Sequence, residues 1–188
     1  MPPWVRHIHT PLPQPDLPYS RSWAFNVAAR HARGTVLILH DNDALVPARY
    51  AAEAIARVTE GWQFLDLKRF IFYLSAEGRI ASIAQNLGAG LSVVADRVAY
   101  ENIGGFDEAF IGWGGEDNDF WDRAASTGRA YAFGYLPMIH LYHPFQPGKW
   151  KESAPGVSRY RTIEGIAPEE RIARLRRREQ GRIEGPSI

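Results

Sequence analysis

The chain has 188 residues, of which 45% are hydrophobic and 23% are charged, a composition typical of a folded globular domain. Lysine and arginine number 22 against 21 aspartates and glutamates, so there is no global basic field to attract nucleic acid. The absence of cysteine excludes disulfides, thiol catalysis and cysteine-ligated metal centres. No apolar run is long enough to span a bilayer or to form a signal peptide, so a cytoplasmic protein is expected.

Residues 1–19 are rich in proline and are predicted to be an extended segment. Beyond them helical and strand patterns alternate, which predicts an α/β domain over residues 20–150. The helices are predicted over 20–32, 47–60, 97–102 and 116–126. The strands are predicted over 35–39, 62–67, 70–74, 88–95, 130–133 and 138–141, with Lys68 and Arg69 as a break. The apolar run 35–39 is predicted to be a buried strand of a parallel or mixed sheet.

Residues 151–188 are predicted to form a basic tail, since eight arginines lie between positions 159 and 182. A helix is predicted over 168–180, with Ile172 and Leu175 on one side. Two interpretations stay open. The tail is a solvated helix that packs these two side chains on the domain, or it contacts an acidic membrane surface or a polyanionic glycan.

An acidic turn, Asp41-Asn42-Asp43, directly follows the predicted strand 35–39. In an open α/β sheet, ligands bind at the carboxyl ends of strands. Two carboxylates at positions i and i+2 can approach one hard cation, and magnesium or manganese is held by such carboxylates together with substrate phosphates. The position therefore predicts a divalent metal site, and the alternative is a solvated Asx turn.

A glycine loop, residues 112–115, precedes Glu116 and Asp117 at the start of a predicted helix. Glycine permits unusual dihedrals and a mobile loop, and the helix macrodipole favours ionised carboxylates at this end. An ionised aspartate there could accept a proton from a hydroxyl nucleophile, and Trp113 offers a flat face for a sugar ring. The alternative is a plain glycine-rich connection followed by acidic helix capping.

Two histidines, His140 and His143, stand at the end of the predicted strand 138–141. Neutral imidazole is the commonest metal ligand in proteins. Because side chains alternate along a strand, only one of the two histidines is expected to reach a shared metal. The alternative for either one is a hydrogen bond to the backbone at the strand end.

Three stretches together resemble the GT-A glycosyltransferases, above all the family 2-like bacterial enzymes and the galactosyltransferase C-terminal region. They are SRSWAFNVAARHARGTVLILHDND, GGFDEAFIGWGGEDNDFWDR and PMIHLYHP, within about residues 20–145. The resemblance implies a GT-A-like fold, a truncated Rossmann-like mixed sheet flanked by helices, which the basic helical tail follows here. It identifies Asp-Asn-Asp with the family's Asp-x-Asp signature.

The resemblance also implies a role for each candidate residue. Asp43, helped by Asp41, would bind manganese or magnesium, with His140 as the later ligand and His143 as its substitute. Asp117 would be the catalytic base and Glu116 would bind the acceptor. The residues implied for substrate binding are Arg21 and Asn26 near the nucleotide, Asp41, and Trp113, Gly114 and Gly115 along the pocket.

The activity implied is transfer of a hexose from a UDP-linked or other nucleotide-diphospho-sugar to a hydroxyl of a glycan or other acceptor. The Glu-Asp pair resembles the inverting branch, so net inversion is expected. Two alternatives remain: a non-catalytic carbohydrate- or nucleotide-binding module derived from such an enzyme, and a metal-dependent hydrolase that uses the same carboxylates.

The chain departs from the GT-A pattern before Ser20. GT-A enzymes begin with a strand–helix–strand–helix unit there, and this sequence has nineteen proline-rich residues instead. Three explanations stay open. The chain is a fragment or has a wrongly assigned start, it is an enzyme completed by a second subunit, or it binds nucleotide poorly. The gap predicts an exposed sheet edge at 35–39 and favours a homo-oligomer.

Overall fold

The computed structural model describes residues 3–10, 18–85, 90–132, 134–144 and 154–186. Residues 1–2 and 11–17 of the predicted proline-rich segment, the start of the predicted strand 88–95 and Phe133 lie outside the described residues. The helices are α1 (Arg21–His31), α2 (Tyr50–Thr59), α3 (Arg97–Asn102), α4 (Glu116–Ser126), α5 (Pro155–Ile163) and α6 (Pro168–Leu175). The strands are β1 (Val36–His40), β2 (Ala44–Leu45), β3 (Phe64–Leu65), β4 (Lys68–Leu74), β5 (Ile80–Gln85), β6 (Ser92–Asp96), β7 (Ala130–Tyr131) and β8 (Leu136–His140).

The described strands form two mixed sheets, with the orders β1-β6-β3-β7 and β2-β8-β4-β5. In the first sheet β6 runs antiparallel to β1 and β3, and β7 is parallel to β3. In the second sheet β8 and β4 are parallel, and β2 and β5 run antiparallel to them at the two edges. The predicted α/β class, with mixed sheets and flanking helices, is therefore confirmed.

Two helices begin where their capping residues predict. The hydroxyl of Ser20 accepts a hydrogen bond from the backbone N–H of Trp23 at 3.2 Å, which caps α1. The carboxylate of Asp96 accepts one from the N–H of Ala99 at 2.9 Å, which caps α3. These caps fix where the chain leaves a strand or loop and enters a helix.

Strand β1 was predicted to be buried, and this prediction holds for Leu37 and Leu39 but is wrong for Ile38. Its side chains alternate between buried and more exposed positions, and Ile38 is 38% exposed. Within the described residues β1 pairs with β6 alone and lies at an edge of its sheet, so the predicted exposed edge is confirmed. One face of β1 packs on a core whose centre is Phe64, Phe106 and Phe120.

The predicted break at Lys68 and Arg69 is also wrong, because both residues belong to β4. The ammonium group of Lys68 is buried but lies 2.8 Å from the carboxylate of Asp66, which precedes β4, so its charge is compensated by a buried partner. Strands β2 and β5 and helix α5 were not predicted; β5 is mostly exposed along its length and so lacks the alternation that would have identified it.

Helices α5 and α6 fold back on α4. As predicted, Ile172 and Leu175 pack on the domain, the first against the Phe106 core and the second in a buried position. Arg171 is not solvated, however: its guanidinium lies 2.7 Å from Asp119 and 3.0 Å from Asp122 on α4. Within the described residues, no helix is both long enough and apolar enough to cross a membrane.

Candidate functional site

The acidic turn and the end of β8 meet at a three-residue cluster, which we call the metal cluster. The carboxylate Oδ2 of Asp43 lies 3.8 Å from Nε2 of His140 and 3.5 Å from Nε2 of His143. The three ligand atoms lie within 4.8 Å of one another. A set of two imidazoles and one carboxylate suits a divalent transition metal.

Backbone pairing brings these residues together. Strand β2, which follows the acidic turn at once, pairs with the end of β8, so that Ala44 lies opposite His140. The backbone N–H of Leu141 then donates to the carbonyl of Asp43 at 2.7 Å. The turn and the strand end are therefore locked side by side by the main chain.

The second nitrogen of each imidazole is held by the backbone. Nδ1 of His140 lies 2.8 Å from the carbonyl of Leu141, and Nδ1 of His143 lies 3.0 Å from that of Pro144. With the proton assigned to Nδ1 in both rings, each Nε2 keeps its lone pair for a metal. The ring of Tyr73 packs on that of His140, with 4.9 Å between centroids.

The expectation that strand alternation keeps His140 and His143 on opposite sides is wrong, because both imidazoles lie beside Asp43. It assumed that strand alternation continues to His143, whereas β8 ends at His140. Residues 141–144 are not strand, so the backbone is free to bring the second imidazole to the same side. The rings of His140 and His143 lie 5.2 Å apart between centroids.

A second cluster surrounds the guanidinium of Arg21, the first residue of α1; we call it the carboxylate cluster. Its members are Arg21, Asp41, Glu116 and Asp117. Nε of Arg21 donates to Asp41 at 2.7 Å, while Nη1 donates to Asp117 at 2.7 Å and lies 3.4 Å from Glu116. Arg21, predicted near the nucleotide, thus joins the acidic turn to the start of α4.

Asp41 was predicted to share the metal with Asp43, and the structure does not bring it into that cluster. Its Oδ1 accepts the bond from Arg21, and the three groups that converge are Asp43, His140 and His143. Because the two aspartates flank Asn42 in one turn, the metal cluster and the carboxylate cluster are neighbours. One turn therefore serves both clusters.

Glu116 and Asp117 occupy the first two positions of α4, where the macrodipole favours negative charge. Burial, reinforced by the adjacent charge of Asp117, raises the pKa of Glu116 to about 7. Burial is likewise the main cause that raises the pKa of Asp41, against the opposing effect of Arg21. Burial by itself would lower the pKa of Arg21, but the three surrounding carboxylates raise it above its ordinary value.

The glycine loop turns the chain sharply into α4. Gly112, Gly114 and Gly115 all have positive φ, between 80° and 94°, a region that disfavours other residues. Gly115 takes the N-cap position with φ 82°, and Trp113 is half-buried between its glycines. Helix α5 packs on the loop, since a Cβ on Gly114 would lie 2.7 Å from the side chain of Val157.

Other acidic residues of the same motif have structural roles. Asp107 pairs with Arg159 at 2.6 Å, and Asp119 pairs with Arg123 and Arg171 at 2.7 Å each. The buried Glu108 accepts a hydrogen bond from the backbone N–H of Gly181 at 2.6 Å. These contacts attach the C-terminal helices to the domain, and they leave Glu116 and Asp117 to face Arg21.

Asn26, which was predicted near the nucleotide, has buried hydrogen-bond partners instead. Its amide donates to the carbonyl of Phe106 at 2.8 Å and to Glu108 at 2.9 Å, and its oxygen accepts from the N–H of Phe106 and the hydroxyl of Tyr100. The side chain thus connects α1 to the turn after α3. These contacts give no support to a substrate-binding role.

Sequence reasoning missed the buried pair of Lys68 and Asp66 as part of the site's surroundings. Burial lowers the pKa of Lys68, and the charges of Asp66, Asp117 and Arg21 also act on it. The signal was present in the sequence, since Asp66 and Lys68 alternate with buried Leu65 and Leu67. A charged pair among buried apolar residues needs mutual compensation. We interpreted the charged residues Lys68 and Arg69 as a break instead.

Comparison with known proteins adds a family match. Residues 78–144 match the family model described as the N-terminal domain of galactosyltransferase. The description names the N-terminal domain of galactosyltransferase, whereas the sequence resemblance was to a galactosyltransferase C-terminal region. Among curated proteins there is no significant match.

Two solved structures are loosely similar to this chain. One is the catalytic domain of Drosophila beta1,4-galactosyltransferase 7 in complex with xylobiose, at 16% identity and TM-score 0.39, covering 84% of this chain and 61% of that one. The other is a mutant of the Drosophila enzyme with manganese, UDP-Gal and xylobiose, at 14% identity and TM-score 0.38, covering 79% and 56%. The chain thus spans about six tenths of the length of these structures.

The segment matched by the family model contains the glycine loop, Asp117 and both histidines of the metal cluster. Arg21, Asp41 and Asp43 lie before it and are brought to it by the fold. Over residues 78–144 this chain is therefore similar to the galactosyltransferases, as the sequence resemblance implied.

Proposed function

We propose that this protein is a metal-dependent glycosyltransferase that moves a hexose from a UDP-sugar to a hydroxyl acceptor with inversion. The observation that carries the proposal is the convergence of Asp43, His140 and His143 beside the carboxylate cluster. The acidic turn and the strand end are about a hundred residues apart, and the second lies inside the galactosyltransferase match. The proximity of groups from such distant parts of the chain supports the proposal.

The residues of the metal cluster fit manganese better than magnesium. Imidazole nitrogen suits transition metals, whereas magnesium prefers an all-oxygen shell with several waters. Nδ1 of each histidine faces a backbone carbonyl, which orients the ring for ligation through Nε2. A divalent ion held there supplies Lewis-acid stabilisation of the charge on a departing diphosphate.

Asp117 is the base in this proposal and Glu116 the acceptor-binding residue. Asp117 takes the proton of the acceptor hydroxyl as the oxygen attacks the anomeric carbon. The new C–O bond forms on the face opposite the bond to UDP, and the electrons of the breaking bond leave with the diphosphate. One displacement of this kind inverts the anomeric configuration.

The raised pKa of Glu116 gives it a distinct function. With a pKa of about 7, a protonated Glu116 can donate a hydrogen bond to one acceptor hydroxyl, and an ionised one can accept it. Asp117 pairs directly with Arg21 at 2.7 Å, and Glu116 lies farther from it at 3.4 Å. Two adjacent carboxyl groups in unequal environments can divide proton transfer and binding between them.

The test has two measurements on the full chain. Calorimetry with UDP, with and without manganese, measures donor-site binding, and UDP release from UDP-hexose with added sugar acceptors measures transfer. We expect manganese-dependent binding and transfer, and we expect both to be lost in His140→Ala and His143→Ala. The exposed His9 lies outside the cluster, so His9→Ala is the matched control.

The outcomes separate the three interpretations. Binding of UDP or glycan without turnover under any metal would make the protein a carbohydrate- or nucleotide-binding module. Loss of the donor at a rate that no sugar increases would make it a hydrolase, since water is then the acceptor. Metal-independent transfer would contradict the proposed role of the metal cluster.

A further inference from the structure

The guanidinium of Arg21 contacts carboxylates from two distant parts of the chain. Asp41 follows β1, and Asp117 is the second residue of α4, 96 residues after Arg21 in the sequence. Different nitrogens serve them, Nε for Asp41 and Nη1 for Asp117, each at 2.7 Å. Only a planar group with several fixed donors can hold both carboxylates in one geometry, which a lysine ammonium cannot do.

The position of this guanidinium is fixed from several sides. Its side chain is 14% exposed, and its Cζ lies 4.5 Å from the centre of the Phe25 ring, a stacked cation–π arrangement. Ser20, the N-cap before it, donates to the carbonyl of Phe110 at 3.1 Å, which ties the start of α1 to the segment before the glycine loop. The protein itself therefore holds the guanidinium of Arg21 in this position.

The two oxygens of Asp117 have different surroundings. Oδ1 accepts the hydrogen bond from Arg21. Oδ2 faces Gly90, since a Cβ on that glycine would lie 3.5 Å from it. A carboxylate held through one oxygen presents the other in a defined direction.

We propose that Arg21 is a positioning residue: it fixes Oδ1 of Asp117 so that Oδ2 is presented to the acceptor hydroxyl. This inference rests on the proposed function, because it assumes that Asp117 is the base. It also explains why Asp41 lies outside the metal cluster, since its Oδ1 is bound to the same guanidinium. The guanidinium of Arg21 thereby connects Asp117, the base in this proposal, to Asp41 in the acidic turn.

The experiment compares Arg21→Gln and Arg21→Lys with wild type. Arg30 is an exposed arginine on the same helix and pairs with Glu179, so Arg30→Gln is the matched control. Three quantities are measured: kcat with saturating substrates, the affinity for UDP with manganese, and the position of the Asp117 carboxylate in crystal structures.

We expect kcat to fall about 100-fold in Arg21→Gln, because a misplacement of about 1 Å costs that much in an oriented reaction. The affinity for UDP with manganese should stay within about threefold of wild type, since a positioning residue acts on kcat rather than on binding. Arg21→Lys keeps the positive charge but loses the planar guanidinium with its several fixed donors, so its kcat should lie between those of wild type and Arg21→Gln.

Two results would overturn the inference. One is a kcat unchanged in both variants, and the other is a UDP affinity that falls as far as kcat, which would make Arg21 a nucleotide ligand. A wild-type protein that binds UDP but never transfers sugar contradicts the proposed function instead. The crystal structures then decide: an Asp117 carboxylate displaced in Arg21→Gln supports positioning, and an unmoved one refutes it. If Arg21→Gln does not fold, the same criteria apply to Arg21→Lys.

Discussion

Gly114 and Gly156 meet backbone to backbone, at the point where α5 packs on the glycine loop. A Cβ on Gly156 would fall far inside van der Waals contact with the carbonyl oxygen of Gly114. Gly156 is the second residue of α5, and the contact leaves no room for any side chain. The loop before Glu116 is thus shaped from outside by a helix that the sequence did not predict.

We expect Gly156→Ala to destabilise the protein by about 2 kcal/mol or more, since overpacking against backbone cannot be relieved by a rotamer change. Urea unfolding measures this, and the transfer rate should fall with it because the loop is displaced. Gly165→Ala is the control, since a Cβ there meets nothing within 4 Å. Equal stabilities of the two variants would refute the packing argument.

Manganese should raise the thermal stability of wild type through the metal cluster. An ion at 100 times its dissociation constant stabilises the native state by about 2.7 kcal/mol, because it binds the folded form alone. Calorimetric melting with manganese, magnesium and a chelator measures the shift, and the magnesium effect should be smaller. In Asp43→Asn the manganese shift should disappear, whereas the exposed Glu77→Gln should retain it; an undiminished shift in Asp43→Asn would place the ion elsewhere.

Glu116 should make stability depend on pH. Its pKa is raised from 4.5 to about 7, so between these values the native state binds more protons than the unfolded state, and stability falls as pH rises. Glu116→Gln removes this dependence, and it should gain up to about 3 kcal/mol relative to wild type at pH 8 compared with pH 4.5. Urea unfolding at the two pH values measures the difference, and a gain that is the same at both would show that burial does not hold the proton there.

Arg171 should be a major stabilising residue of the C-terminal helices. It is buried and pairs with Asp119 and Asp122, so Arg171→Met removes the charged hydrogen bonds to both carboxylates, although Arg123 keeps its contact with the buried Asp119. The loss should cost about 2 kcal/mol. Arg174 lies on the same helix but is 54% exposed and pairs with Glu170 one turn away. Arg174→Met should therefore cost less than about 0.5 kcal/mol in the same denaturation experiment, and similar losses in both variants would mean that the tail is solvated after all.

Local patterns were enough to predict much of the fold. The N-cap residues Ser20 and Asp96 marked the starts of α1 and α3, and the glycine loop marked the start of α4. A capping residue can be predicted from the local sequence because its hydrogen-bond partner lies within one helical turn. The α/β class followed from the alternation of such elements.

The sequence by itself determined which residue types were available for chemistry: an acidic turn after a strand, a Glu-Asp pair after glycines and two histidines near a strand end. Tertiary structure alone decided how they were used. It brought His143 to the same side as His140 because β8 ends between them, and it gave Asp41 to Arg21 instead of to the metal cluster. It also turned Arg171 inward, toward carboxylates about fifty residues earlier. These contacts join charged side chains from segments that are far apart in the sequence. A local sequence pattern does not show which distant residues the fold will bring together.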